Sequence, residues 1–286
     1  MLPSAAGPGL AADRWAGSDD LPELLYLHGF GQTRQAWGNT ASRLAAAGFA
    51  GLAVDGRGHG ESEWNAPGLD YSMEQFIGDV EAVARGFARR PVLVGASMGG
   101  LLGLATEGEC GGCYAALILV DVTPRWEARG VERILGFMSA HPDGFADFEE
   151  AAAAISGYLP HRARRKTPQE LAPLLVQRPD GRWRWHWDPR MLDQVARDGA
   201  RYQPRLLAAA RRVQIPTLLI SGGLSDLVSD ETVDEFLALV PHASHVRIAD
   251  ATHMVAGDRN DAFTGAILDF LTAPSVRGAL SSGAVP

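Results

Sequence analysis

The sequence predicts an α/β fold in which a mostly parallel central sheet is flanked by helices and carries an inserted helical cap. Short runs rich in Leu and β-branched residues recur along the chain, and each is almost wholly apolar, as in strands covered on both faces. Helix-like stretches alternate with these runs, which favours parallel strands joined by right-handed crossovers. The alternation stops over residues 123–213 and then resumes, which indicates an insertion between two consecutive strands.

Six apolar runs are predicted to be strands: residues 24–28, 50–55, 91–95, 116–121, 216–221 and 245–249. Helices are predicted at residues 35–47, 72–89, 99–107 and 230–240. The last of these begins with Asp230 and Glu231, whose negative charge suits a helix N-terminus. Because parallel strands end at the same edge of a sheet, the loops at their carboxyl ends are the expected place for a functional site.

The predicted domain organisation follows from this pattern. Residues 1–122 and 214–273 are expected to form the α/β core, and residues 123–213 a helical cap that is rich in Arg and Trp and has no clear strand pattern. Residues 274–286 are mostly small or polar and are predicted to be a disordered tail.

Composition and charge exclude several classes of function. The net charge is −8, with 26 basic and 34 acidic residues, which argues against a nucleic-acid partner. The longest apolar stretches are far shorter than a membrane span, and the first residues lack the pattern of a signal peptide, so a cytoplasmic protein with no membrane partner is expected. Cys110 and Cys113 follow a predicted helix, where the helix dipole disfavours a thiolate, so they are interpreted as incidental thiols.

The strongest motif is G-x-S-x-G at residues 95–99, directly after a predicted strand and before a predicted helix. This is the context of a nucleophile elbow, in which a sharp turn projects the serine hydroxyl above the sheet. The helix N-terminus that follows favours negative charge beside the serine. The sequence therefore predicts Ser97 as a nucleophile.

A second motif, His-Gly-Phe-Gly at residues 28–31, also follows a strand. Acyl transfer needs two N–H donors for the developing oxyanion, one from the residue after the nucleophile and one from a loop after an earlier strand. The backbone N–H groups of Met98 and Phe30 are predicted to supply them. His28 is interpreted as a support of this loop.

The acid and the base of such a site are expected after the serine along the chain. Asp226 follows the strand at 216–221, and His253 follows the strand at 245–249, so both are predicted to lie at the same sheet edge as Ser97. Asp226 is the predicted acid and His253 the predicted base. Asp121, at the end of an earlier strand, is the alternative acid. His59 is interpreted as structural.

These motifs resemble the α/β-hydrolase superfamily over residues 24–271. The run D-G-R-G-H-G-E-S at residues 55–62 resembles a loop of that family, and the run at residues 180–189 resembles a cap segment of capped bacterial carboxylesterases and cofactor-free haloperoxidase-like proteins. Haloalkane dehalogenases and related epoxide hydrolases have Asp at the position of Ser97, so those activities are disfavoured. The short N-terminal segment leaves room for about one leading strand, which leaves the full eight-strand count of the family open.

The combined pattern predicts a serine hydrolase that cleaves a small-to-medium apolar carboxylic ester through an acyl-enzyme, without a cofactor or metal. Its partner is a small-molecule ester, and a monomer or homodimer is expected. A perhydrolase or haloperoxidase, a C–C bond hydrolase and a ligand-binding receptor with a retained triad remain alternatives. Five side chains are predicted to line the substrate pocket: Trp183, Trp185, Trp187, Phe137 and Met254. At least two of the three tryptophans also fit a packed cap.

Overall fold

The computed structural model describes residues 1–2, 9–158 and 167–281. Its strands are β1 (Ala12–Trp15), β2 (Leu24–Leu27), β3 (Gly51–Val54), β4 (Val92–Ala96), β5 (Ala116–Val120), β6 (Leu175–Gln177), β7 (Trp183–Trp185), β8 (Thr217–Gly222) and β9 (Ser244–Ile248). Its α-helices are α1 (Gly38–Ala46), α2 (Met73–Arg85), α3 (Met98–Cys110), α4 (Ala128–Ser139), α5 (Phe148–Tyr158), α6 (Pro168–Leu171), α7 (Arg190–Ala210), α8 (Asp230–Leu239), α9 (Val255–Asp258), α10 (Asn260–Thr272) and α11 (Pro274–Ser281).

Seven strands form the central sheet, in the order β1-β3-β2-β4-β5-β8-β9. All neighbouring strands are parallel except β1, which pairs antiparallel with β3 at one edge. The prediction of a mostly parallel sheet is confirmed. The single leading strand supplies the antiparallel edge, so the sheet has seven strands.

The apolar runs are buried because helices cover both faces of the sheet. On β2, Leu25 and Leu27 point into a core beneath α2, α3 and α8, whereas Leu24 and Tyr26 point into a core beneath α1 and α10. This alternation is the two-residue period of a strand, with apolar residues on both faces. Buried parallel strands therefore hold the loops of their carboxyl edge in fixed positions.

The cap differs from its prediction in two respects. It contains a small antiparallel sheet, β6 with β7, in addition to helices. The C-terminal half of α7 belongs to the core, since Leu206 and Ala210 are buried in the same cluster as α3. A Cβ atom at Gly108 of α3 would lie 2.3 Å from the carbonyl oxygen of Ala209, so the two helices pack with little space between their backbones. The cap boundary at residue 213 was therefore placed too late.

The C-terminal segment also differs from its prediction. Residues 274–281 form α11, and Val276 is buried against the core beside α10. The prediction of disorder is wrong for these residues because an apolar side chain anchors the helix, and residues 282–286 lie outside the described part. None of the described helices combines the length and the apolar character that a membrane crossing requires.

Candidate active site

Ser97 occupies a strained turn between β4 and α3. Its backbone has φ 47° and ψ −117°, a conformation that costs a non-glycine residue free energy. The Ser97 N–H donates to the carbonyl of Val120 at 3.0 Å, which fixes the turn beside the end of β5. Among the described residues, the other non-glycine residue with a positive φ is Asp121, at 49°. The two strained residues therefore lie side by side at the carboxyl edge of the sheet.

The glycines of the motif are required by the close approach of strand and helix. A Cβ atom at Gly95 would lie 2.6 Å from the backbone nitrogen of Gly100, and one at Gly99 would lie 2.4 Å from the carbonyl oxygen of Leu27. Neither position accepts a side chain without movement of the backbone. The sequence interpretation of this motif as a sharp elbow is thus supported by its packing.

His253 binds a buried carboxylate through one ring nitrogen. Its Nδ1 lies 2.7 Å from Oδ2 of Asp121, whose side chain is completely buried. Asp121 also accepts a hydrogen bond from the N–H of Gly222 at 2.7 Å and one from the hydroxyl of Ser225 at 2.5 Å. These donors satisfy the oxygens of the buried carboxylate. Asp121 in turn places the proton of the imidazole on Nδ1, which leaves Nε2 as a proton acceptor.

The predicted acid, Asp226, is not at this position. Its side chain is 34% exposed and forms an ion pair with Arg133 of α4 at 2.6 Å. The loop after β8 instead contributes Gly222 and Ser225, which bind Asp121. The alternative acid named from the sequence is therefore the one that the fold brings to His253, and the choice of Asp226 is wrong.

A sequence signal for this outcome exists. Asp121 follows directly after β5, the strand next to β4, whereas Asp226 lies four residues beyond Gly222, the last residue of β8. A carboxylate that directly follows a buried strand is held by backbone donors, while one further along a loop reaches solvent. The residue type and chain order alone do not distinguish these positions.

Ser97 follows β4 and His253 follows β9, with β5 and β8 between these two strands in the sheet. Asp121, at the end of β5, binds the imidazole of His253. Among the described residues, the hydrogen bonds of the site do not include one from Ser97 Oγ to His253 Nε2. In free enzymes of this kind such bonds are often long and shorten when substrate binds. The side chain of His253 is partly exposed, at 17% of its surface.

The predicted oxyanion donors lie beside Ser97. A Cβ atom at Gly29 would be 3.2 Å from Cβ and 3.9 Å from Oγ of Ser97, so the backbone just before Phe30 approaches the serine side chain closely. Met98 is the first residue of α3, where an N–H has no partner within the helix. One residue named from the sequence as a donor thus follows a backbone segment that contacts Ser97, and the other directly follows Ser97 in the chain.

An apolar cavity of about 210 Å³ extends from Ser97 between core and cap. Phe30 and Met98 are among its lining residues, and the described lining includes no charged side chain. Nine of the lining residues come from α4 and α7: Val131, Ile134, Leu135, Met191, Gln194, Val195, Gly199, Tyr202 and Leu206. The polar groups on this wall are the Gln194 amide and the Tyr202 hydroxyl.

The five predicted pocket residues are absent from this lining. Phe137, Trp183 and Trp185 pack with one another inside the cap, with Phe145 between them, and Trp187 lies under the loop that carries Phe30. Met254 does not contact the cavity. Sequence reasoning missed α7, although its lining residues 191, 195, 199, 202 and 206 recur at the spacing of a helix face.

The two cysteines remain free thiols. Burial raises the pKa of Cys113 to about 12, and burial with nearby Glu81 also raises the pKa of Cys110. Both thiols therefore stay protonated near neutral pH, as expected for a pair at the C-terminal end of a helix.

A family model described as the alpha/beta hydrolase family matches residues 24–266. This chain belongs to that family. Among curated proteins it is similar to a 3-hydroxybutyrate-oligomer hydrolase from Cupriavidus necator, with 30% identity over 261 residues, or 85% of this chain and 86% of the relative. It is also similar to an esterase from Mycobacterium tuberculosis, with 28% identity over 87% of this chain and 82% of the relative.

Solved structures agree with this family assignment at the level of the fold. An E-2-(acetamidomethylene)succinate hydrolase superposes with a TM-score of 0.80 at 24% sequence identity, covering 92% of this chain and 95% of that protein. A thioesterase domain from the curacin biosynthetic pathway superposes with a TM-score of 0.72 at 25% identity, covering 91% and 94%.

Proposed function

We propose that this α/β hydrolase is a serine esterase that cleaves uncharged esters with an apolar acyl chain. The observation that carries the proposal is the hydrogen bond between His253 and buried Asp121, placed beside Ser97 on its strained turn. The curated relatives, an oligomer hydrolase and an esterase, support an enzyme that hydrolyses esters. The apolar cavity next to Ser97 supports the acyl preference.

The reaction follows from the roles of these groups. Ser97 Oγ attacks the ester carbonyl carbon while His253 Nε2 accepts the hydroxyl proton, and Asp121 stabilises the imidazolium that forms. The N–H groups of Phe30 and Met98 bind the oxyanion of the tetrahedral intermediate. The intermediate collapses as the C–O bond to the alcohol breaks and His253 returns the proton to the leaving oxygen, which leaves an acyl-enzyme on Ser97.

Hydrolysis of the acyl-enzyme repeats these steps with water. His253 removes a proton from a water molecule that attacks the acyl carbon, and the oxyanion binds the same two N–H groups. The bond to Ser97 Oγ then breaks, and the serine recovers its proton from His253. The products are a carboxylic acid and an alcohol.

Labelling by a fluorophosphonate probe tests the nucleophile. The probe forms a covalent bond with an activated serine, so wild-type protein should be labelled and Ser97→Ala should not. Peptide mapping of the labelled protein should find the adduct on Ser97. Labelling that persists in Ser97→Ala would overturn the assignment.

A panel of p-nitrophenyl esters from acetate to dodecanoate tests the acyl preference. Because the cavity is apolar and about 210 Å³ in volume, kcat/KM should rise from acetate to medium chains and fall for the longest ones. A hemisuccinate ester, which carries a carboxylate on the acyl part, should be a poor substrate because the described lining offers it no cation. Absence of turnover for every ester would contradict the proposed function.

A further inference from the structure

The loop that carries Phe30 is held by three buried histidines, one for each of three consecutive peptide groups. His28 lies within the loop, His59 lies in the loop after β3, and His186 belongs to the cap segment after β7. Each ring is at most 3% exposed. Each ring also uses both of its nitrogens in hydrogen bonds to backbone groups, which for His59 include one from Nδ1 to the carbonyl of Arg57 at 3.1 Å.

The first two histidines hold the peptide groups on either side of Phe30. His28 Nδ1 donates to the carbonyl of Gly29 at 2.8 Å, and its Nε2 accepts from the N–H of Gly56 at 2.9 Å. His59 Nε2 accepts from the N–H of Gly31 at 3.2 Å. In a trans peptide the C=O and N–H point in opposite directions, so a fixed Gly29 carbonyl also fixes the direction of the Phe30 N–H.

His186 holds the third peptide group and connects it to the cap. Its Nε2 donates to the carbonyl of Gly31 at 3.3 Å, and its Nδ1 accepts from the N–H of Gly60 at 2.6 Å. The N–H of Gly31 therefore donates a hydrogen bond to His59, and its carbonyl accepts one from His186. Its φ of +74° favours glycine, so the bend that follows Phe30 depends on these contacts and on the residue type.

Residues next to His186 also pack the cap segment against the core, close to the loop that carries Phe30. The next residue, Trp187, lies with its ring centroid 5.6 Å from that of Phe30, and the N–H of Asp188 donates to the carbonyl of Gly58 at 2.9 Å. Tyr71 donates to the Asp188 carboxylate at 2.9 Å. The cap therefore contacts the loop that carries Phe30 through the His186–Gly31 hydrogen bond and the ring of Trp187, and it binds the loop after β3 through two further hydrogen bonds.

The geometry points to His186 as a positioning residue, which aligns the Phe30 N–H for catalysis by holding Gly31 from the cap. This inference rests on the proposed function, because it concerns the oxyanion donor of the esterase reaction. His186 itself does not touch the reacting atoms. Its effect passes from the Gly31 carbonyl through the Phe30–Gly31 peptide to the Gly29–Phe30 peptide, which carries the Phe30 N–H.

Two polar substitutions of His186 each retain one of its two hydrogen bonds and remove the other. Gln places an amide nitrogen near the position of Nε2 and can still donate to Gly31, whereas Asn places an oxygen near the position of Nδ1 and can still accept from Gly60. Loss of a whole oxyanion donor lowers kcat by about 10²–10³-fold, so a misaligned donor should cost about 10–100-fold. We expect His186→Asn to lower kcat to this extent with KM within about 3-fold, and His186→Gln to retain most of the activity.

Affinity for an alkyl trifluoromethyl ketone gives a second readout. This inhibitor adds to a catalytic serine and forms a tetrahedral oxyanion, so its Kd should rise in His186→Asn by the same factor as kcat/KM falls. A merely structural role would change thermal stability without this parallel. His242→Asn is the matched control, because His242 is exposed and binds the backbone carbonyl of Ile215, away from the site.

The outcomes distinguish the two proposals. Active wild-type enzyme with unchanged kcat and inhibitor Kd in His186→Asn, or equal losses in the Gln and Asn variants, would overturn the role of His186. Wild-type protein that hydrolyses none of the esters and is not labelled at Ser97 would instead contradict the proposed function. Thermal unfolding of each variant confirms that folded proteins are compared.

Discussion

The floor and the roof of the site are built on different physical principles. We call the loops at the carboxyl edge of the sheet, which carry Ser97, Asp121 and His253, the floor, and α4 with the first part of α7 the roof. In the floor, the buried carboxylate of Asp121 and the buried imidazoles of His28 and His59 are satisfied by hydrogen bonds, many of them with backbone groups. The cavity wall of the roof is mainly apolar and adds no charged side chain among the described residues.

Because of this difference, we expect the floor to determine the rate of the reaction and the roof to determine which substrates are preferred. Hydrogen bonds are directional, so a change in the floor should impair every substrate by a similar factor. Apolar contacts depend on shape and area, so a change in the roof should alter the ranking of substrates instead. His186, which belongs to the cap segment that precedes α7, binds the floor at Gly31.

The largest effect is expected for Asp121→Asn. The amide keeps the size of the side chain but favours the wrong tautomer of His253 and removes the charge that stabilises the imidazolium. Loss of this acid in a serine protease lowers kcat by about 10⁴-fold, so a loss of about 10³–10⁴-fold is expected here. The loss should be similar for short and long esters, measured as kcat/KM across the panel. A loss confined to some chain lengths would break the distinction between floor and roof.

Low pH should decrease the free energy of unfolding because the buried histidines bind protons more readily in the unfolded chain. Burial and nearby His28 lower the pKa of His186 to about 4, and nearby Asp55 opposes this shift. Between pH 4 and pH 6.5 the imidazole binds a proton in the unfolded chain, where its pKa is about 6.5, but stays neutral in the folded protein. The contribution of His186 to the free energy of unfolding is therefore complete above pH 6.5 and is lost as the pH falls toward 4. For His186 alone the free energy of unfolding should decrease by about 3 kcal/mol over this range.

Urea unfolding at pH 7.5 and at pH 4.5 measures this decrease. Burial lowers the pKa of His28 and, further, that of His59, so wild-type protein should lose more stability than His186 alone accounts for. His186→Gln lacks the titrating ring and should lose less stability on acidification than wild type. Equal losses in the two proteins would show that His186 does not bind its proton on unfolding.

A smaller effect, confined to esters with longer acyl chains, is expected when a side chain is added to the part of α7 that lines the cavity. Gly199 lies within α7 and lines the cavity, and an added Cβ atom would meet no heavy atom within 4 Å. Gly199→Phe should lower kcat/KM for octanoate esters by about 10-fold and change acetate esters by less than about 3-fold, because the ring occupies space needed only by the longer chain.

Gly136→Phe is the matched control for this change. Gly136 lies on exposed surface of α4, and an added Cβ atom there also meets nothing within 4 Å. The ratio of octanoate to acetate activity should remain that of wild type. If Gly136→Phe changes this ratio as much as Gly199→Phe does, the change results from a general effect on the cap and not from lost space in the cavity.

The smallest effect is expected for Asp226→Asn. The side chain forms a partly exposed ion pair with Arg133, and such pairs contribute about 0–1 kcal/mol. The change should leave kcat within about 3-fold of wild type and the free energy of unfolding within about 1 kcal/mol. A loss that approaches that of Asp121→Asn would return Asp226 to the catalytic site.

Much of the floor could be predicted from the sequence because its signals are local. The run before Ser97 is apolar, the glycines around it allow strand and helix to touch, and the residues that follow begin a helix. His253 was found by the same kind of reasoning, since it follows the last strand. Asp121 was ranked behind Asp226 because both carboxylates follow strands, and the position of Asp121 directly after β5 was given too little weight.

The sequence by itself determined the parallel sheet, the sharp turn at Ser97 and the position of His253 after the last strand, since these depend on hydrophobic period, backbone sterics and chain order. Tertiary structure decided which carboxylate binds His253, which residues line the cavity and how the Trp-rich cap segment packs. The physical reason is that burial and hydrogen-bond partners arise from distant parts of the chain, as when Gly222 and Ser225 surround Asp121 or His186 reaches Gly31 across 155 residues.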